Sequence, residues 1–261
     1  MDILMGNSMR RIKLIVSYDG TNYCGWQIQP NGITIEAVLN KELKKLTKED
    51  ILVIGASRTD SGVHALGNVA VFDTKSTIPG ENFAAALNQR MPEDIVIVDS
   101  EEVDLEWHPR YQHSHKVYEY HIINERTIVP TKRLTNYFVS YPLDVKKMRE
   151  GAQYLVGEHD FTSFCSIKTQ ALSAVRTITD LDIKKEGKEI TICIRGNGFL
   201  YNMVRIIAGV LVRVGRGFYE PKEVKRMLEA KERTNAAVTA PANGLVLVEI
   251  EYEKEAYGLR K

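Results

Sequence analysis

From Arg10 to Tyr18 apolar and polar residues alternate, with Ile12, Leu14, Val16 and Tyr18 on one face and Arg11, Lys13 and Ser17 on the other. A period of two predicts a half-buried strand. A loop rich in glycine, asparagine and aromatics follows (Asp19 to Trp26), and then the period changes. Ile35, Val38, Leu39, Leu43 and Leu46 recur at helical spacing behind Thr34, a residue suited to cap a helix N-terminus. Residues 51–57 and 67–73 read as strands on either side of a polar loop. A second helix through Phe83, Ala84 and Leu87 must stop before Pro92, and Asp94 to Val98 reads as a fourth strand. The order is β-α-β-β-α-β, the split βαβ or ferredoxin-like arrangement.

After residue 106 the pattern restarts. Lys116 to Ile123 predicts a strand with Tyr118, Tyr120 and Ile122 on one face and Val117, Glu119 and His121 on the other. Asp144 is placed to cap a helix carrying Val145, Met148, Ala152 and Leu155. Strands over 173–184 and 188–196 turn at Lys185–Lys188, and a long helix runs from about Phe199 to Val214, ended by Gly215 and Gly217. A short helix inserted after Pro221 precedes a last strand, Leu245 to Tyr252. The expectation is an α+β fold of two ferredoxin-like halves, their mainly antiparallel sheets side by side. Helices would cover one face and leave the other open, and a face with bases such as Arg11 and Lys13 and strand aromatics suits nucleic acid. Residues 1–9 read as an optional leader, 10–106 as the first half, 107–115 as a connector, 116–253 as the second half and 254–261 as a tail.

Composition narrows the class. The 261 residues are 44% apolar and 26% charged, values typical of a soluble globular protein, and no apolar run is long enough to span a bilayer. Met1 to Ser8 has an acid where a signal peptide wants base. The three cysteines (Cys24, Cys165, Cys193) are far apart without a CxxC, so no disulfide framework or zinc knuckle is indicated, and a reducing, cytoplasmic setting is expected. The net charge of +1 is unevenly distributed: residues 92–106 hold seven acids and no Lys or Arg, and residues 195–235 hold nine Lys/Arg against four Glu. The first stretch carries the fourth strand into an acidic connector. The second fits either solvated helix faces or a surface for a polyanion.

The candidate chemistry centres on Gly55 to Ala65, which brings a carboxylate (Asp60), a guanidinium (Arg58) and an imidazole (His64) into one tight loop. Taken alone, Asp60 reads as a turn residue bonding its own backbone. Arg205 changes that picture. It sits in the middle of the expected apolar helix, where an unpaired charge costs several kcal/mol, so a carboxylate should meet it. Asp19, Asp60 and Asp160 are the loop acids available. If the partner is Asp60, the ion pair would keep that carboxylate ionised and aimed, as a nucleophile or anionic stabiliser requires. The alternative is a purely structural pair. His108, His113, His115 and His121 cluster without acid or cysteine at ligand spacing, so no metal is expected. His108 and Arg110 beside Lys116 read instead as phosphate-contacting base.

Assembled, these residues resemble the TruA family of tRNA pseudouridine synthases, from about Arg11 to Tyr252. The resemblance rests on Tyr18-Asp19-Gly20 with Gly25-Trp26-Gln27, on Arg58-Thr59-Asp60 with Gly62-Val63-His64-Ala65, and on Lys116-Val117-Tyr118-Glu119-Tyr120. It continues through Gly157-Glu158-His159-Asp160-Phe161, Phe199 to Arg205, and Ala240-Pro241 with Gly244-Leu245. It implies a homodimeric isomerase whose two ferredoxin-like halves form an RNA-binding cleft, and which converts uridine to pseudouridine in the tRNA anticodon arm without cofactor or metal. Asp60 would be the catalytic aspartate and Arg205 its partner. Tyr118 would lie against the target uracil, Arg58 beside the site and Leu245 in the pocket wall; from the residues themselves, His64 is expected to join Arg58 at the substrate, and Arg110, His108, Lys116 and Arg11 to lie along the RNA. The competing expectations are a non-catalytic RNA-binding protein using the same sheet face and an aspartyl-phosphate enzyme. The latter would need a magnesium-binding acid cluster that the loops do not offer.

Overall fold

A computed structural model describes residues 8–166, 172–232 and 238–253; the greater part of the expected leader and all of the expected tail lie outside them. The chain is a mixed α+β protein with mostly antiparallel strands, and it divides into two compact units. The first runs to His113 and takes in Tyr252 and Glu253; the second is Ser114–Glu251.

In the first unit the elements are β1 (Arg10–Tyr18), α1 (Ile35–Thr47), β2 (Ile54–Gly55), β3 (His64–Thr74), α2 (Phe83–Asn88) and β4 (Ile95–Val103). The sheet order is β4-β1-β3-β2, antiparallel at every step. Thr34 caps α1 as its chemistry predicts, its Oγ1 accepting from the Ala37 amide at 3.3 Å. Ile12, Leu14 and Val16 are buried with Ile35, Leu39 and Leu43 of α1, and Phe72 meets Phe83 of α2 edge-on at 5.2 Å.

Two expectations fail here for identifiable reasons. The strand expected over 51–57 pairs only at Ile54–Gly55: Leu52 is 78% exposed, and the Val53 amide donates to Asn40 Oδ1 at 2.9 Å instead of to a strand. Nor does the fourth strand stop at Val98 and give way to an acidic connector. Its acids extend β4 to Val103 because β1 offers them bases: Lys13 pairs with Glu101, and Arg10 reaches Glu102 at 3.4 Å. Arg11 forms a two-pronged bond with Asp73 of β3, at 2.7 and 2.8 Å. The bases expected to line an open face are thus neutralised within the sheet, and Trp107 lies against the same face, 5.6 Å from the Lys13 amine.

In the second unit the elements are β5 (Ser114–Asn124), β6 (Tyr137–Val139), α3 (Val145–Gln153), β7 (Gly157–Asp160), β8 (Val175–Glu186), β9 (Glu189–Gly196), α4 (Met203–Gly215), α5 (Pro221–Ala230) and β10 (Leu245–Tyr252). The order is β10-β5-β9-β8-β7, with β6 parallel to β5 at Ile122–Asn124. The strands β6 and β7 have no counterpart in the sequence reading. Asp144 caps α3 as expected, accepting from the Lys147 amide at 3.1 Å.

Tyr118, Tyr120 and Ile122 stand opposite Ile194, Ile192 and Ile190 on the buried face of the sheet. They are therefore not aromatics on an open face. The other face carries Glu119, His121, Cys193 and Arg195 in local pairs: His121 lies 3.3 Å from Glu119, and Arg195 2.6 Å from Glu251. Burial and then Glu119 push the Cys193 thiol up to about 11, which keeps it protonated at neutral pH. On the basic stretch, α5 places Arg226 beside Glu223 and Lys225 3.8 Å from Glu229, the arrangement of a solvated helix face.

Candidate active site

The loop carrying Asp60 is fastened by the loop that follows β1. The Trp26 amide donates to Thr59 O at 3.1 Å, Gly62 N to Tyr23 O at 3.3 Å, and the Ser61 hydroxyl to Tyr23 O at 3.2 Å. The two backbones approach so closely that a Cβ at Gly20 would fall 2.0 Å from Val63 O, and one at Gly25 2.6 Å from Thr59 O. Gly25 also has φ +83°, which L side chains rarely adopt. Below the loop, buried Tyr18 shares a 2.7 Å hydrogen bond with the Thr59 hydroxyl, while Asn68 donates to Ser57 O at 3.0 Å and to Tyr18 Oη at 3.3 Å. Within the loop Val63 N closes a turn onto Asp60 O at 3.1 Å, leaving the Asp60 side chain half-buried on a braced backbone.

His64 belongs to this bracing. It is the first residue of β3, buried, with Nδ1 3.1 Å from Gly20 N and 3.1 Å from Asp19 Oδ1. Partial burial works to raise the Asp19 carboxyl, but bonds from Thr21 and His64 outweigh it and hold Asp19 below its ordinary value. Arg58 is exposed, its guanidinium 3.5 Å from Gln27 Oε1. Arg110 donates through Nε to Gly55 O at 2.7 Å; burial and then the Arg58 charge lower its pKa, so the two cations lie within each other's field. Arg11, bonded to Asp73, also donates to Trp107 O at 3.0 Å, so its guanidinium ties the sheet to the segment bearing His108 and Arg110.

In the second unit, α4 begins at Met203, not Phe199, because Asn202 turns left-handed at φ 62° just before it. Arg205 therefore lies in the first turn of the helix, where the positive end of the dipole disfavours a cation. Local oxygens offset this: Nε donates to Ala240 O and Nη1 to Asn202 Oδ1, each at 2.9 Å. Ala240 comes within reach because 238–241 passes directly over α4, where a Cβ at Gly209 would fall 2.1 Å from Val238 O. The same strap puts Pro241 O 2.7 Å from the buried Tyr120 hydroxyl and leads into Leu245, buried at the start of β10. Tyr118 meets Phe199 edge-on at 5.3 Å, and Lys116, half-buried, pairs across to Gly196.

Each unit thus assembles its own part: the first gathers Asp60, Arg58, His64 and Arg110, and the second Tyr118, Arg205, Lys116 and Leu245. The sequence reading did not anticipate Asn68, Asn202 or Ala240 as supports. A lone Asn in the apolar run of β3 is a signal that could have found Asn68; the other two act through backbone geometry that leaves no signature. Among the described residues no group of three or more His, Cys, Asp or Glu could hold a metal ion, and no helix is long and apolar enough to cross a membrane.

The chain is similar in sequence to known proteins. A family model described as tRNA pseudouridine synthase matches residues 14–112 and 152–253. "tRNA pseudouridine synthase A" of Acetivibrio thermocellus (strain ATCC 27405 / DSM 1237 / JCM 9322 / NBRC 103400 / NCIMB 10682 / NRRL B-4536 / VPI 7372) is 48% identical over 94% of this chain and 100% of its own length. The protein of the same name from Thermoanaerobacter sp. (strain X514) is 47% identical over the same shares, and that of Brevibacillus brevis (strain 47 / JCM 6285 / NBRC 100599) 46%. A solved structure, "Crystal Structure of a Cbf5-Nop10-Gar1 Complex", aligns with 90% of this chain and 47% of that chain at a TM-score of 0.34 and 10% identity, too slight a likeness to argue from.

Proposed function

Because this chain belongs to the tRNA pseudouridine synthase family, we propose that it isomerises uridine to pseudouridine in the anticodon arm of tRNA, at about positions 38–40, selecting by tRNA shape more than by sequence, with Asp60 as the catalytic carboxylate. The observation that carries the assignment to Asp60 is the bracing of its loop from both sides by Trp26, Tyr23 and Tyr18, which presets a half-buried carboxylate.

The other two loop acids, Asp19 and Asp160, have local partners within their own units. Asp19 is engaged by Thr21 and His64; Asp160 bonds Thr162 at 2.6 and 3.0 Å and lies 3.6 Å from Lys231. In this reading Arg205 is a positioning residue that keeps Asp60 charged until substrate arrives. Tyr118 stacks on the extruded uracil, Leu245 lines the pocket, and Arg58, Arg110, His108 and Lys116 meet the RNA. His64 and Arg11 act through the loop and the connector they fasten. Each unit reads as a ferredoxin-like half: β4-β1-β3-β2 and β10-β5-β9-β8 are the same order counted from the first strand of each, with β7 added at an edge. The chain acts as a homodimer in the cytoplasm, with neither metal nor cofactor.

The chemistry asks for no more than these parts. The N1–C1′ bond breaks, the freed base turns, C5 bonds to C1′, the C5 proton leaves and N1 gains one; no electrons are lost and no water is consumed. Extruding the nucleotide costs a few kcal/mol, which an aromatic face and hydrogen bonds to the base edge offset. Asp60 acts at the sugar, attacking C1′ or stabilising and deprotonating a cationic intermediate, with attack on C6 of the base as the competing route. Since C5 surrenders its hydrogen, the protein should release tritium into water from tRNA carrying [5-³H]uridine. No release from bulk undermodified tRNA by folded protein would remove the proposed activity.

A further inference from the structure

Tyr111 presents a large ring to solvent, 82% exposed, two residues before the first unit gives way to the second. Its orientation is nonetheless fixed. The ring lies parallel on His108, centroids 4.1 Å apart and planes 17° from each other, so one face is backed and the other is open. The pair sits on a tight turn in which Tyr111 N donates to His108 O at 3.1 Å and Pro109 occupies a position that suits its fixed φ. His108 Nδ1 accepts from Arg110 N at 3.2 Å, which sets the imidazole plane, and burial and then the Arg110 and Arg11 charges lower its pKa, keeping the ring neutral near pH 7.

The turn is held on every side. Pro109 O accepts from the Tyr252 hydroxyl at 2.9 Å, Trp107 packs edge-on against Tyr252 at 5.0 Å, and Glu253 N donates to His113 O at 3.0 Å. Arg110 fastens it to Gly55, the residue from which the chain runs through Arg58 to Asp60. A flat ring with a preset orientation and the Arg110 guanidinium in its field has the composition of a single-strand RNA subsite: one face for a base, a cation for the phosphate beside it.

We infer that Tyr111, stacked on His108, is a binding subsite for one nucleobase of the tRNA outside the uridine that reacts. The inference rests on the tRNA-modifying reading above. Because every base has a π-face, the subsite accepts any base and holds the RNA in place without reading its sequence.

The test uses the full-length protein with Tyr111→Ala, Tyr111→Phe and Tyr111→Trp, scored by binding to unmodified tRNA transcript and by tritium release. Tyr111→Ala should weaken binding roughly tenfold and raise KM alike with kcat little changed, while Phe and Trp stay within about twofold of wild type. The slope of log Kd against log salt should not change in Tyr111→Ala, because no phosphate contact is lost; Arg110→Gln should reduce it by about one. Thermal melting should not move, since the ring is exposed. Wild-type affinity and KM in Tyr111→Ala would overturn the inference, as would Trp failing as badly as Ala, or a change in oligomeric state with tRNA binding intact. If wild type binds tRNA but releases no tritium, the isomerase reading fails while the binding comparison still decides the role of Tyr111.

Discussion

Asp60→Asn should lower the rate of tritium release by about 10²–10⁴-fold or more, while tRNA binding changes by less than about threefold. Asn has the shape of Asp and the turn onto Asp60 O is a backbone bond, so the loop keeps its form. What disappears is the negative charge that the proposed function uses as nucleophile, base or stabiliser. Affinity for tRNA is set mainly by phosphate contacts elsewhere, and removing an acid beside RNA cannot weaken those. Read as free energies, a fall in kcat at constant Kd marks an interaction made only in the transition state. A variant with wild-type turnover would reduce Asp60 to a turn residue.

Gly25→Ala should act on the same carboxylate without touching it. The added methyl would fall 2.6 Å from Thr59 O on a backbone at φ +83°, so either the 19–26 loop or the Asp60 loop must move. Strain of this kind costs about 1–3 kcal/mol, and a reacting group displaced by about 1 Å loses roughly 10²-fold in rate. Gly187→Ala is the matched control. Its φ is +59°, yet nothing lies within 4 Å of the new methyl. It should lose about 1 kcal/mol in urea denaturation and keep full turnover. Equal losses of rate in the two variants would show that global stability, not loop position, governs activity.

What the sequence made legible was whatever local chemistry decides. Thr34 and Asp144 announce helix starts because their side chains answer amides three residues on. The alternation from Arg10 to Tyr18 announces β1 because only one face is buried. Where a distant partner decides, the pattern misleads. Ile51 and Val53 are buried as in a strand, yet Asn40 takes the Val53 amide. The acids after Val98 read as a connector until β1 supplies Arg10 and Lys13 to pair with Glu102 and Glu101. The three-residue β6 is too short to show a period, and β7 exists because it pairs with the Val175–Ile178 end of β8. At the site, the acid, the cations and the aromatic were visible as residue types. Their orientation was not. The face that Tyr118 takes and the helix turn that holds Arg205 depend on strand register and on the left-handed Asn202.

The claim on which the rest depends is that Asp60 confronts the ribose or ring of a uridine drawn out of the anticodon stack. A crystal structure of this protein bound to an anticodon-arm RNA measures it directly, through the distance from the Asp60 carboxylate to C1′ and C6 of the nucleotide. The account predicts a uridine turned out of the helix, one of those carbons within about 3–3.5 Å of a carboxylate oxygen, and the Tyr118 ring against its base. An RNA bound with every anticodon-arm base still stacked and Asp60 remote from all of them would contradict it.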